Sequence, residues 1–183
     1  MQTVKVRLSS LSPIMFNAFR GQEEIPPERK LYVSSADGKT VILPASYIMG
    51  FLTATTVGRS CLNTFVPTKE RSEKRGELLS SIASSPVEMP FTSDGKPIVF
   101  EGWNDRIYLS EMGAQASKTA RVIARRPVVR DPWEIEFDLF INETKYVTAE
   151  RMENWFKDGG TRVGMGAFRP FFGRFEVTLW KTV

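Results

Sequence analysis

Residues 133–141 constrain the fold most, because they carry the strongest alternation of apolar and polar residues in the chain. The apolar side chains recur at every second position, as Trp133, Ile135, Phe137, Leu139 and Ile141. Successive side chains of a strand point to opposite faces, so this period predicts a β-strand with one buried face. The intervening Glu134, Glu136 and Asp138 predict a solvated opposite face, which is typical of an antiparallel sheet.

Further elements follow from similar patterns. Apolar and polar residues also alternate over residues 3–10 and 175–180, which predicts two more strands. In the strand 175–180, the pattern places Leu179 on the apolar face and Trp180 on the polar face. A helical pattern runs from 47 to 57, and another helix is predicted to begin after the N-cap Thr148 and to end at Gly159-Gly160. The order strand, helix, strands, helix, strand predicts an α+β, split βαβ arrangement: an antiparallel sheet backed by two helices.

We find no linker within the chain and therefore expect a single domain over residues 1–183. Two segments are predicted as insertions into it. Residues 59–90 alternate basic and acidic side chains, which predicts a charged helix on the surface. Residues 102–130 predict a basic loop or hairpin, with a loop composition at 111–120.

The chain contains no His and only one Cys, Cys61, which excludes several kinds of site. Without His there is no Ser–His–Asp triad, Cys–His pair or His general base within the chain. A single Cys excludes an intrachain disulfide framework and fits a reducing compartment, so we expect a cytoplasmic protein. No signal-peptide segment opens the sequence, and the apolar runs are too short to span a membrane. We expect no membrane partner, no metal and no cofactor.

A basic stretch is the first candidate for a binding site. Its five positive side chains are those of Lys118, Arg121, Arg125, Arg126 and Arg130. No acidic residue occurs from 112 to 130, although Glu111 and Asp131 border this range. A nucleic-acid backbone rewards several Lys or Arg contacts through counterion release, so the stretch predicts contacts to phosphates. The alternative is a solvated, arginine-rich strand edge or a protein interface.

The glycine-rich segment 159–174 (GGTRVGMGAFRPFFGR) is the second candidate, and it contains no acidic residue. Its charged side chains are Arg162, Arg169 and Arg174, which predict phosphate contacts. Phe168 and Phe171 are the residues that we predict to stack on bases. Its glycines, which permit close backbone approach or positive φ, are Gly159, Gly160, Gly164, Gly166 and Gly173. The alternative is a tight helix-to-strand turn with phenylalanines in the core.

Other chemistry is less well supported by the sequence. Arg169 stands where a dinucleotide-binding fingerprint needs its third glycine, and no P-loop motif occurs. The carboxylates of Glu134, Glu136 and Asp138 share one predicted strand face and form the one candidate metal site of a nuclease. Such a row is more typical of the wet side of an antiparallel strand.

Residues 159–177 resemble the glycine-rich loop of the RAMP superfamily, the repeat-associated proteins that form the backbone of CRISPR RNA-guided effectors. Residues 43–55 (LPASYIMGFLTAT) resemble the family's Pro-x-Ser-x-aliphatic-x-Gly helix start, with matching positions at Pro44, Ser46, Ile48 and Gly50. The chain is most similar to small, stand-alone RAMP-like proteins of phages and prophages. Those carry an Arg-Pro segment before a Trp-rich strand, as residues 122–133 do here.

The resemblance implies a ferredoxin-like or RRM-like antiparallel sheet that holds single-stranded nucleic acid, and it does not imply catalysis. We therefore predict non-catalytic binding of single-stranded RNA or DNA through the two candidate segments. The alternatives are a phage or prophage accessory protein that binds a protein partner, and a CRISPR-type effector subunit that self-associates. The sequence does not separate RNA from DNA.

Overall fold

The computed structural model of the chain describes residues 1–18, 25–54, 59–115 and 121–183, so Lys118 lies outside the described residues. The strands in these ranges are β1 (Gln2–Ser10), β2 (Ile14–Met15), β3 (Ile42–Pro44), β4 (Ile82–Ser85), β5 (Glu88–Pro90), β6 (Thr92–Ser93), β7 (Lys96–Pro97), β8 (Ile107–Gln115), β9 (Arg121–Val129), β10 (Glu134–Ile141) and β11 (Phe175–Thr182). The α-helices are α1 (Ser46–Thr53), α2 (Cys61–Phe65), α3 (Arg71–Ser81) and α4 (Ala149–Arg162). None of these helices has the length and apolar character that crossing a bilayer requires.

The main sheet is antiparallel and has β1 and β10 at its centre. β11 pairs with the outer side of β1, and β4 and β6 pair with successive parts of the outer side of β10. A second sheet joins β2, β9 and β8, and a third joins β3 and β5. The predicted α+β class with antiparallel pairing is confirmed. Two helices backing the sheet and a third, charged helix in residues 59–90 were predicted, and the described residues contain four α-helices.

Residues 59–90 contain two helices, α2 and α3, where the sequence predicted one, and two strands, β4 and β5, that the sequence did not predict. The alternating charges of residues 69–77, followed by the apolar Leu78, Leu79 and Ile82, predicted one charged helix ended by Pro86 and Pro90. In the structure α3 ends at Ser81, and Ile82 begins β4, which pairs with β10 from Ile141 to Asp138. The open edge of β10 supplies hydrogen bonds that helical continuation would leave unused, so sheet pairing overrides the local pattern.

The hydrophobic core lies between one face of the main sheet and the helices. As predicted, Val4, Val6 and Leu8 of β1 are fully buried, and β10 buries its alternate apolar residues beside them. Phe51 of α1 packs against Phe156 of α4 and against Phe175 of β11, with ring centroids 5.2 and 5.4 Å apart. These aromatic contacts join α1 and α4 over the first residue of β11.

A β-bulge in β11 corrects the predicted faces of that strand. The pairing with β1 shifts between Arg7 and Leu8, so that Leu8 lies opposite Val177 while Arg7 lies opposite Leu179. The extra residue reverses the alternation, because a shift of one residue moves every following side chain to the other face. Trp180 therefore lies on the core side and packs 5.7 Å from the Phe156 ring centroid. The prediction of Leu179 inward and Trp180 outward is wrong.

This assignment predicts unequal costs for truncating the two residues. We expect Trp180→Ala to lower the free energy of unfolding by about 2 kcal/mol, because the indole is partly buried against the core. Leu179→Ala, on the opposite face, is expected to cost less than about 1 kcal/mol. Urea unfolding of both variants measures the difference. A larger loss for Leu179→Ala would contradict the bulge.

Helix α4 begins as predicted and ends later than predicted. The hydroxyl oxygen of Thr148 accepts a hydrogen bond from the N–H of Arg151 at 3.1 Å, which confirms the N-cap. Gly159 and Gly160 lie inside the helix, which continues to Arg162. A Cβ at Gly159 would lie 2.7 Å from Sγ of Cys61, and one at Gly160 would lie 2.4 Å from the carbonyl oxygen of Phe175. These two glycines allow close packing rather than ending the helix.

Candidate nucleic-acid interface

The basic stretch of the sequence forms one strand of a long hairpin. β8 and β9 pair from Ile107 opposite Val129 to Gln115 opposite Arg121. The loop predicted at 111–120 is therefore wrong for residues 111–115, which are strand, whereas residues 116–120 lie outside the described ranges. Ladder hydrogen bonds use only backbone groups, so small residues that look loop-like still pair with the β-branched residues of β9.

The outward-facing arginines of β9 are less free than the sequence indicated. Arg125 lies opposite Glu111 in the hairpin register, and its Nε is 2.8 Å from Oε1 of that carboxylate. Both side chains are exposed, so the pair adds at most about 1 kcal/mol to stability. It nevertheless offsets one positive charge. Arg121 is exposed at the far end of β9.

The two remaining arginines of this group lie nearer the base of the hairpin. Nε of Arg130 donates to the carbonyl oxygen of Asp105 at 2.9 Å, and its guanidinium lies 5.0 Å from the ring centroid of Tyr108. Nε of Arg126 is buried and has no hydrogen-bond partner in the described part of the chain. Arg130 thus holds the turn before β8 against the end of β9.

The second candidate segment becomes a loop that follows α4 and is bound to the residues after β1. The N–H of Ala167 donates to the carbonyl oxygen of Met15 at 2.8 Å, and the N–H of Gly173 donates to that of Pro13 at 2.7 Å. The N–H of Arg174 donates to Oγ of Ser12 at 2.9 Å. These three hydrogen bonds hold the loop against residues 12–15.

Three of the predicted glycines adopt positive φ within this loop, namely Gly164, Gly166 and Gly173. The backbone that approaches them is the chain's own. A Cβ at Gly166 would lie 2.5 Å from the carbonyl oxygen of Met15, and one at Gly173 would lie 1.7 Å from that of Met165. In the structure, these glycines therefore let the loop pack closely on itself and on β2.

The loop presents a pair of phenylalanine rings to solvent. Phe168 is 46% exposed and Phe171 is 76% exposed. Their ring centroids are 5.9 Å apart and their planes meet at 32°. Phe168 also has φ of +57°, a left-handed conformation that is rare for a residue with a Cβ. The loop thus places two large apolar rings side by side in water, where they can stack on flat ligands.

The arginines of the loop differ in their surroundings. The Arg162 guanidinium is exposed and lies 5.2 Å from the ring centroid of Phe65, and the Arg174 side chain is also exposed. Arg169 is half-buried and its Nη1 donates to the carbonyl oxygen of Gly164 at 3.4 Å. Burial lowers the pKa of Arg169 from its ordinary value, and the neighbouring Tyr47 and Cys61 partly oppose that shift. Arg162 and Arg174 are the loop arginines most accessible to a ligand.

Cys61 lies behind this loop, in the core. Its side chain is fully buried, and Sγ lies 3.6 Å from the carbonyl oxygen of Trp155. Burial raises the pKa of the Cys61 thiol well above its ordinary value. A buried, protonated thiol is a poor nucleophile.

The open face of the main sheet carries charges of both signs. Arg7 on β1 forms an ion pair with Glu136 on β10, with Nη2 2.7 Å from Oε2. The hydroxyl of Ser9 donates to Oε1 of Glu134 at 2.9 Å, and Asp138 lies opposite Lys5. The carboxylates on this face would repel phosphates. In the described residues, no group of three Cys, Asp or Glu side chains is arranged to hold a metal ion.

Residues 12–16 connect the two candidate segments. Ile14 and Met15 pair with Val129 and Val128 at the base of β9, while Met15 also accepts the hydrogen bond from Ala167 of the loop. The hairpin base and the loop are therefore neighbours. Arg121 is seven residues beyond Val128, which is about 23 Å at strand spacing. The structure brings the loop near the base of the hairpin and leaves the far end of β9 distant.

One basic residue close to the loop was not identified from the sequence. Arg59 precedes α2 and lines an open groove together with Arg162 and Pro170. A lone arginine outside any basic run has no sequence pattern that would mark it, so only its spatial neighbours identify it.

No protein-family model matches the chain, and no curated protein matches it significantly.

Proposed function

We propose that the protein binds single-stranded nucleic acid without cutting it, chiefly through the glycine-rich loop. The exposed pair Phe168 and Phe171 carries this proposal, because adjacent solvent-exposed rings suit stacking on successive unpaired bases. Stacking of this kind contributes about 1–3 kcal/mol per base. Arg162 at the end of α4 and Arg174 on the loop are both exposed and supply charge for phosphates. The chain's lack of His supports a binding role.

The strand order supports a ferredoxin-like fold as part of the proposal. Reading β11-β1-β10-β4 across the sheet, helices α1 to α3 connect β1 to β4, and α4 connects β10 to β11. With β2, β3 and β5 to β9 set aside as insertions, this order supports the β-α-β-β-α-β connectivity of ferredoxin-like domains. The same order supports the resemblance to the RAMP superfamily. We place the nucleic acid at the loop rather than on the open sheet face, where Glu134 and Glu136 would repel it.

The proposal extends to the cellular compartment. Cys61 is the chain's one cysteine and is a buried, free thiol. A protein without disulfides suits a reducing environment, so we propose that it acts in the cytoplasm.

Salt dependence is the direct test of the function. We expect labelled single-stranded oligonucleotides of RNA and of DNA to bind in fluorescence anisotropy, with affinity falling more than about tenfold between 50 and 200 mM salt. Three or four phosphate contacts give a slope of about −2 to −3 in log affinity against log salt concentration. A duplex of the same sequence is the control and is expected to bind more weakly, because its bases are already stacked. Negligible binding of both single strands at 50 mM salt would overturn the proposal.

A protein-binding role is the second candidate, and one observation favours it. Val122 and Ile123 near the far end of the hairpin are exposed β-branched residues, which suit an apolar contact. Light scattering on the same samples measures self-association through this surface. A mass above 20.7 kDa in the absence of nucleic acid, together with no oligonucleotide binding, would favour this function.

A further inference from the structure

An open groove of about 550 Å³ lies between α2 and the C-terminal end of α4. Its walls are formed by Arg59, Asn63, Thr64, Thr161, Arg162 and Pro170. Two of these residues are cations and none is acidic. The groove therefore combines concave shape with positive charge, which is the combination that attracts a small anion.

Most of the free hydrogen-bond donors in the groove belong to the two arginines. The Thr64 hydroxyl already donates to the carbonyl oxygen of Ser60 at 2.7 Å, and the Thr161 hydroxyl donates to that of Asp158 at 3.1 Å. One of the two N–H groups on Nδ2 of Asn63 donates to the carbonyl oxygen of Ala54 at 2.8 Å. An anion in the groove would therefore be bound by guanidinium N–H groups, which are charged donors suited to phosphate oxygens.

The Arg162 guanidinium is held in place by an aromatic ring rather than by a carboxylate that would neutralise its charge. It follows Asp158 by four residues on α4, a spacing that commonly forms an ion pair. In the described part of the chain, neither Arg162 nor Arg59 forms an ion pair with a carboxylate. Arg162 instead lies over the Phe65 ring, at 5.2 Å from its centroid. Contact through the flat face of the guanidinium leaves its in-plane N–H groups available to an acceptor.

The groove adjoins the exposed rings through Pro170. This residue lines the groove and stands in the chain between Phe168 and Phe171. A strand whose bases stack on the two rings would thus have its backbone beside Arg59 and Arg162.

We infer that this groove binds a phosphate group. Resting on the proposed function, we assign that group to the strand whose bases stack on the loop. The phosphate is either an internal phosphodiester or a terminal monophosphate, since both present negatively charged, non-bridging oxygens to the two guanidinium groups. Arg59 then joins Arg162 as a phosphate-binding residue, and because neither contacts a base, the groove binds independently of sequence.

Inorganic phosphate tests the groove without any nucleic acid. We expect a titration followed by NMR to shift the side-chain Nε–H resonances of Arg59 and Arg162 in the wild-type protein. In Arg59→Gln the phosphate-induced shift of the Arg162 resonance should be lost, and in Arg162→Gln that of the Arg59 resonance should be lost. Arg75→Gln, which removes an exposed arginine of α3 outside the groove, is the matched control and should leave the titration unchanged. Thermal unfolding of each variant verifies that the fold is intact.

Oligonucleotide binding provides the second measurement. We expect Arg59→Gln to weaken binding of a labelled single strand about tenfold at 50 mM salt, the loss of one charged hydrogen-bonding contact. The slope of log affinity against log salt should fall in magnitude by about 0.7. Strands with and without a 5′-phosphate identify the source: a wild-type preference for the phosphorylated strand that Arg59→Gln abolishes assigns a terminal phosphate, and equal binding assigns an internal one.

The two proposals fail in different ways. If phosphate shifts neither arginine and Arg59→Gln binds strands as Arg75→Gln does, the groove inference is overturned while the proposed function stands. If phosphate shifts both arginines but no strand binds, the groove inference stands as an anion site and the proposed function is overturned.

Discussion

We expect Gly173→Ala to lower the free energy of unfolding by at least about 3 kcal/mol. The new Cβ would lie 1.7 Å from the carbonyl oxygen of Met165, in a residue whose φ is +75°. Gly173 also accepts a hydrogen bond from the N–H of Met165 at 2.9 Å and donates one to Pro13 at 2.7 Å. Relieving the clash must therefore break the bonds that close the loop on itself and hold it against Pro13, just before β2.

Gly95→Ala is the matched control for this prediction. Gly95 has nearly the same φ, +73°, and a Cβ there would meet no atom within 4 Å. It should cost only the left-handed backbone penalty, about 1–2 kcal/mol. Urea unfolding of the two variants separates backbone conformation from close approach. Equal losses would show that the loop does not pack as tightly as the structure indicates.

The second large effect is expected on binding. The double variant Phe168→Ala/Phe171→Ala should weaken binding of a single strand by at least about thirtyfold, the loss of two stacking contacts of about 1 kcal/mol or more each. Stability should change little, because both rings are exposed. Fluorescence anisotropy at constant salt measures the affinity, and urea unfolding measures the stability.

Two comparisons sharpen this test. Leu79→Ala removes an exposed apolar side chain on α3, away from the loop, and should leave the affinity unchanged. The double variant Phe168→Tyr/Phe171→Tyr keeps both aromatic rings and should retain most of the affinity for the single strand. The slope of log affinity against log salt concentration should also be unchanged in the double alanine variant, since no charge is removed. If the alanine variant binds as tightly as Leu79→Ala does, the rings do not stack on bases.

The central strand β1 and the start of α4 followed from local patterns. Val4, Val6 and Leu8 alternate along β1 and are buried as that alternation predicts. The cap at Thr148 was equally predictable, since it needs only a side chain and an N–H three residues later. Both features depend on residues that are neighbours in the chain.

The faces of β11 and the end of α4 depended on distant segments. The bulge between Val177 and Leu179 exists only in the pairing with β1, so no alternation within β11 reveals it. The pair Gly159-Gly160 has the composition of a helix stop, yet Cys61 and Phe175 pack against it inside the helix. A glycine that permits close packing and one that ends a helix look the same in sequence.

The candidate site likewise has features that the local sequence predicts and features that depend on distant contacts. Residue types alone indicated a binding loop, because arginines, glycines and phenylalanines concentrate in 159–174 without an acidic residue. Folding then placed Glu111 against Arg125 across the hairpin and brought Arg59 next to Arg162. The chemistry available to the protein is thus encoded locally. Which charges are neutralised, and which converge on one groove, depends on contacts between residues far apart in the chain, because electrostatic interactions act through space rather than along the sequence.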